Sequence, residues 1–184
     1  RLPSALAALA LLAITAWLGR RVFGRRTGEQ GALLLATLPA MFALSSVAIF
    51  DMLFAVCLFG ALASFLYAVE ERRSWTQYVG FILVAAAILT KGPVTLILLG
   101  LTALLCVLHP QGRVAVRQIR WFQGAAIVLL LAGPWFVAMW YRFGHEFIDQ
   151  YVFYNNISLF GAPLYRRNRY PFFYVRTFFT AFLP

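Results

Sequence analysis

Acidic side chains are scarce in this chain, six in 184 residues, and lysine is absent except at position 91. With charged residues at 12% and hydrophobic ones at 62%, there is too little polar surface to cover a soluble globule of this length. Cysteine is nearly missing too. Cys57 and Cys106 stand singly in apolar runs, which leaves no CxxC zinc pattern and no disulfide framework. No glycine-rich phosphate loop, nucleophile elbow or HExxH occurs, so the common chemistries of soluble enzymes are not indicated. The apolar stretch 3–18 is long for a signal-peptide core and lacks a small-residue cleavage site behind it.

Long apolar runs are present in quantity, and mean hydropathy is +0.80. A membrane span takes about 20 apolar residues, so the chain has room for roughly six to seven spans with short linkers. The fold class expected is therefore all-α, a polytopic transmembrane helix bundle. Apolar segments fall at 3–18, 31–50, 52–69, 75–90, 94–108 and 121–141, and a further one opens at Pro171-Phe172-Phe173-Tyr174. The net charge of +10 would suggest nucleic acid in a soluble protein. Here the arginines sit in linkers between spans, which is the pattern of membrane topology.

Alternation then assigns sides. The linkers around Arg21, Arg72 and Arg117 fall on one face, cytoplasmic by the positive-inside tendency. Asp51, Lys91 and the segment 142–170 fall on the opposite, outer face. That face also collects Arg142, Arg166, Arg167 and Arg169, so the charge bias is weak. The excess reads either as a wrong topology or as an outer site built for an anion, and span parity favours the second.

Lys91 lies inside an apolar run, where an ammonium costs about 3 kcal/mol at the bilayer centre. Gly92 and Pro93 interrupt the helix behind it. The run thus reads as two helices meeting at a water-facing corner that carries Lys91, either a snorkelling cation or an anion ligand. Asp51, between two apolar segments, reads as a capping turn residue or as a functional carboxylate facing a cavity. Phe143, Phe147, Tyr151 and Tyr154 recur at helical spacing and predict an amphipathic outer-face helix, its aromatics anchoring it at the interface. Tyr165-Arg166-Arg167-Asn168-Arg169-Tyr170 suits a phosphate or pyrophosphate, or equally anionic lipid headgroups. Asn156-Ile157-Ser158 matches a short glycosylation pattern. His109 and His145 have no partner at ligand spacing, so no metal site is assigned.

Taken in order, several stretches resemble the integral-membrane glycosyltransferases of the class C fold. They are Arg1-Leu2-Pro3-Ser4-Ala5-Leu6 leading to Gly19-Arg20-Arg21-Val22-Phe23-Gly24, the approach from Ser46 to Asp51, Leu89-Thr90-Lys91-Gly92-Pro93, Pro134-Trp135, and Pro171-Phe172-Phe173-Tyr174. The resemblance is to the bacterial branch that includes the lipid A aminoarabinose transferase and relatives of the protein O-mannosyltransferases. It implies a polyprenyl-phosphate-linked sugar donor, membrane lipids as surroundings, and transfer at the outer face of the inner membrane to a glycolipid, glycan or protein. Asp51 is then expected in the active-site cavity, positioning the acceptor or binding a divalent cation. Lys91, Asn156, Arg166, Arg167 and Arg169 are expected to bind substrate. The main catalytic base is expected in a first outer loop upstream of Arg1, the chain being read as an internal piece that lacks that loop, the first span and a C-terminal part. Similar proteins tend to carry a His and an Arg-Phe pair where this chain reads Asn155-Asn156-Ile157-Ser158-Leu159-Phe160. Either the arginines at 166, 167 and 169 supply that charge, or the donor differs. A transporter of an anionic lipid or sugar phosphate, and a non-catalytic membrane scaffold, are the competing readings. The transporter reading is weakened by the lack of an internal repeat.

Overall fold

In a computed structural model of the chain, residues 1–47, 50–147, 149–151 and 172–183 are described. Their regular structure is helical, with no strand among them. The helices are α1 (Leu2–Phe23), α2 (Arg25–Thr37), α3 (Pro39–Ser46), α4 (Asp51–Glu70), α5 (Trp75–Lys91), α6 (Val94–Leu108), α7 (Pro110–Gln118), α8 (Trp121–Phe143), the single turn α9 (His145–Phe147) and α10 (Phe173–Phe182). Three of them, α1, α4 and α8, are long and apolar enough to cross a membrane, and α5 and α6 are shorter apolar helices. The protein is a multi-pass, all-α membrane protein.

Several boundaries differ from the sequence reading. Helix α1 does not stop at Gly19 but carries Arg20 and Arg21 in its last turn, since arginine is a good helix former. It ends at Gly24, whose φ of 94° only glycine adopts freely. The supposed linker through Arg25, Arg26 and Glu29 is the first part of α2, tied by Arg25 Nε to Glu29 Oε1 at 3.0 Å and by Arg20 Nη2 to the same oxygen at 3.3 Å. The segment expected as one span over 31–50 is broken at Leu38, whose extended backbone precedes Pro39 as a pre-proline residue should. The linker after α6 also contains a helix, α7, with Pro110 at its start.

The chain divides into two compact units, residues 1–56 with 153–184 and residues 57–152. In the first, α1 and α2 form a hairpin so close that a Cβ on Gly19 would lie 2.7 Å from Gly28 Cα. Its core joins Ala7, Ala8, Leu38, Met41 and Met52, with Leu11, Leu12 and Val56 against it. Helix α10 packs on α3.

In the second unit α5 is the central element. Phe81, Val84 and Ile88 on it meet Ala61 and Phe65 of α4, Leu99 of α6 and Ala132 of α8. The Phe65 and Phe81 rings meet edge to face at 4.9 Å, and Phe65 lies over Gly80, where a Cβ would come within 2.6 Å of the ring. Helix α8 keeps a broad apolar surface outward: Phe122 is 95% exposed and Leu130 75%, which lipid rather than water must cover.

A polar clasp fixes the direction of the helices here. The Gln77 side chain, 4% exposed, donates from Nε2 to the Gln118 carbonyl at 3.3 Å and accepts at Oε1 from the Arg120 N–H at 3.0 Å. Beside it Tyr78 Oη donates to Gln123 Oε1 at 2.8 Å and accepts from Arg120 Nη1 at 3.2 Å. The starts of α5 and α8 are thus joined at one end of the unit. The two helices run parallel, and their far ends, Lys91 and Arg142, point the other way.

Candidate functional site

The far end of the second unit is built around the Lys91 turn. Helix α5 ends at Lys91, and Gly92 follows with φ 80°, a conformation that strains any residue with a Cβ. Its N–H donates to the Ile88 carbonyl at 2.7 Å, and its own carbonyl accepts from the Thr95 N–H at 3.2 Å. The corner expected from Gly92 and Pro93 is therefore a tight reversal between α5 and α6. Lys91 is exposed, and as a cation in the last turn of α5 it is favoured by the helix dipole. Thr95, the second residue of α6, is fully buried, and its hydroxyl has no hydrogen-bond partner among the described residues.

An aromatic cluster covers this corner. A methyl group at Gly92 would meet Tyr151 Oη at 2.9 Å and the Tyr151 ring at 3.3 Å. Tyr151 stacks on Phe147 with ring centres 5.1 Å apart and planes 14° from parallel. Both rings meet Trp135 edge to face, at 5.7 and 5.8 Å, and Phe136 lies 6.0 Å from Tyr151. The turn at Gly144, φ 57°, reverses the chain after α8 so that these residues fold back over its last turns. The expected interfacial anchors Phe147 and Tyr151 are thus turned inward instead. Burial raises the Tyr151 phenol above its ordinary value of 10.0, so it keeps its proton at neutral pH. Tyr154 and the rest of the expected amphipathic helix lie outside the described residues.

Asp51 belongs to the first unit. It stands half-buried in the first turn of α4, where a carboxylate is stabilised by the helix dipole, beside Met52 in the core. Among the described residues no three His, Cys, Asp or Glu side chains group together. Asn156, Arg166, Arg167 and Arg169 lie outside the described residues. Sequence reasoning missed the role of Tyr151, with Trp135 packed against it, as the cover of Gly92. The available signal was the coincidence of Pro134-Trp135 with a downstream aromatic run, read as two separate features.

An apolar all-helical chain with a cation held at a built helix reversal defines a multi-pass membrane protein with a candidate anion-binding corner. Residues 1–140 match the dolichyl-phosphate-mannose-protein mannosyltransferase family, and the chain belongs to it. Members are membrane-embedded glycosyltransferases that take sugars from polyprenyl-phosphate carriers. The match takes in Asp51, Lys91 and Trp135 and stops short of Tyr151 and the arginines at 166, 167 and 169. No curated protein and no solved structure matches the chain.

Proposed function

We propose that the protein transfers a sugar from a polyprenyl-phosphate donor to a glycolipid of the lipid A type, another glycan or a protein, at the outer face of a bacterial inner membrane, with Lys91 at the donor phosphate. The observation that carries this reading is the corner itself. A lone lysine in a family of polyprenyl-phosphate-dependent transferases is held exposed at a reversal that needs glycine and is packed by Tyr151.

In the reaction, an acceptor hydroxyl oxygen attacks C1 of the sugar, the bond from C1 to the phosphate oxygen breaks, and its electron pair leaves with the phosphate. Negative charge builds on that oxygen in a site of low dielectric, where a fixed cation is worth more than in water. Lys91 is assigned that role, with Arg166, Arg167, Arg169 and Asn156 as further donor ligands. Asp51 is assigned to acceptor positioning. The acceptor proton passes to a carboxylate that the family resemblance assigns to a first outer loop upstream of Arg1.

The test is binding of polyprenyl phosphate, against uncharged polyprenol, to the full-length protein and its Lys91→Ala variant. Phosphate-dependent binding should weaken about tenfold in the variant, the scale of one lost charge-assisted contact. Equal binding of both lipids, unchanged by the substitution, sinks the donor-site assignment and leaves Lys91 a membrane anchor.

A further inference from the structure

The layer beneath the Lys91 turn holds a polar group that the described residues leave unused. A fully buried hydroxyl such as that of Thr95 is destabilising without a partner, and in helices the remedy is to turn it back onto a backbone carbonyl. Neighbouring threonines do this. Thr90 Oγ1 donates to the Ala87 carbonyl and Thr102 Oγ1 to the Leu98 carbonyl, both at 2.8 Å. Thr76 is the sharper comparison, because it is the second residue of α5 as Thr95 is of α6, and it is likewise buried. Its hydroxyl donates at 2.7 Å to the carbonyl of Arg73, three residues back. The corresponding carbonyl for Thr95 is that of Gly92, which accepts from the Thr95 N–H and not from the hydroxyl. At the same position of two consecutive helices, one hydroxyl is committed to the backbone and the other is held back.

The place of Thr95 is fixed from both sides. Its 3.2 Å bond to Gly92 ties it to the residue that follows Lys91. Leu99, one turn further along the same face of α6, lies in the core with Ile88 and Ala132. Thr95 therefore fills the layer between that core and the Lys91 corner. Helix α6 also opens with Pro93 at its cap and no acidic residue in its first turn, so its own side chains leave its positive end uncompensated. Tyr151 covers the turn, its Oη being the atom nearest to where a Gly92 Cβ would stand.

We infer that the Thr95 hydroxyl is a second ligand of the donor phosphate, donating to a phosphate oxygen while Lys91 supplies the charge. This rests on the assignment of Lys91 to the donor and adds to it a neutral donor and a movement. Because the Tyr151 ring lies over Gly92, the phosphate gains the hydroxyl when that ring lifts from the turn. A hydroxyl that donates to an anionic oxygen makes one of the stronger hydrogen bonds, and the closed, unliganded corner forgoes it. The unpartnered group thus biases the corner toward its liganded form. As the bond from C1 to the phosphate oxygen breaks, charge grows on the phosphate and the same hydrogen bond strengthens.

Thr95→Val exchanges the hydroxyl for a methyl of similar size. The full-length variant in detergent, titrated with polyprenyl phosphate and with uncharged polyprenol, should lose about tenfold in affinity for the phosphate and none for the polyprenol. Its melting temperature without lipid should be no lower than that of the wild type, since no hydrogen bond within the protein is removed. Thr95→Ser keeps the hydroxyl and should keep the phosphate preference, whereas a packing role of the Thr95 methyl predicts the reverse order. The ring movement is read by tryptophan fluorescence. Trp135 meets Tyr151 at 5.7 Å, so polyprenyl phosphate should change the emission by an amount that Trp135→Phe removes. Wild-type phosphate affinity in Thr95→Val, with weakened affinity in Lys91→Ala, overturns this inference and leaves the Lys91 assignment standing. A Thr95→Val protein that melts lower overturns it too, because the hydroxyl then has a partner inside the protein, such as a trapped water. An emission that does not respond to the phosphate excludes the movement and with it access to Thr95. Lack of any phosphate preference in the wild type overturns both assignments together.

Discussion

At Gly92 a single hydrogen atom decides whether the Lys91 corner closes. Gly92→Ala meets two penalties, the positive φ of 80° and a methyl 2.9 Å from Tyr151 Oη, and should destabilise the protein by about 2 kcal/mol. Thermal unfolding of the detergent-purified variant measures this. Adding Tyr151→Phe removes the nearest atom but not the backbone strain, so the double variant should recover only part of the loss. Full recovery would mean that φ at position 92 carries no cost. The Tyr151 phenol also gives the corner a pH limit. Its folded value lies above 10.0, so the folded state holds the proton more tightly than the unfolded one. That contribution is complete below pH 10 and is lost as pH rises through the folded value. Difference absorbance of tyrosinate between wild type and Tyr151→Phe should show a group titrating above its ordinary value, with loss of thermal stability over the same alkaline range. A phenol that ionises at its ordinary value would remove the buried contact.

At the level of helices, the α1–α2 hairpin depends on a glycine pair that cannot be relieved by side-chain movement. A Cβ on Gly28 would lie 2.3 Å from the Arg20 backbone nitrogen and 2.7 Å from the Ala16 carbonyl oxygen. Gly31, one turn later on the same helix, has open space around it. Gly28→Ala should therefore separate the two helices and lower the melting temperature, whereas Gly31→Ala should raise it slightly through helix propensity, worth about 1 kcal/mol. Equal effects of the two would mean that the close approach is absent. The same hairpin shows what hydropathy patterns miss. Apolar runs revealed α1, α4, α5, α6 and α8 within a few residues, because lipid-facing and buried positions are both apolar. By the same pattern the arginines at 20, 21, 25 and 26 read as a linker, because they interrupt the apolar run, although they lie within α1 and α2. A helix that leaves the hydrocarbon remains a helix, and nothing in its polarity marks the end; Gly24 and Pro39 do.

On the scale of the whole second unit, the polar clasp fixes which helix ends lie together, and the side of the membrane that each end faces is an expectation for experiment to test. Counting spans placed the Arg72 and Arg117 linkers opposite Lys91, and the Gln77 hydrogen bonds join the starts of α5 and α8 at the arginine-bearing end. The clasp itself was illegible, because a glutamine beside a tyrosine in an apolar run has no periodic signature and its partners lie 41 and 43 residues away. The arrangement can be tested with single cysteines in a background where Cys57 and Cys106 are replaced by alanine. Ser74→Cys and Gln118→Cys should react with a membrane-impermeant maleimide from the same side of the membrane, and His145→Cys from the other. By the arginine bias, intact cells should label His145→Cys and protect the first two until the membrane is opened. Labelling of all three from one side would mean that α8 does not cross. Protection of His145→Cys with labelling of Ser74→Cys in intact cells would invert the protein. It would then place Lys91 in the cytoplasmic leaflet, where a transferase acting at the outer face could not use it.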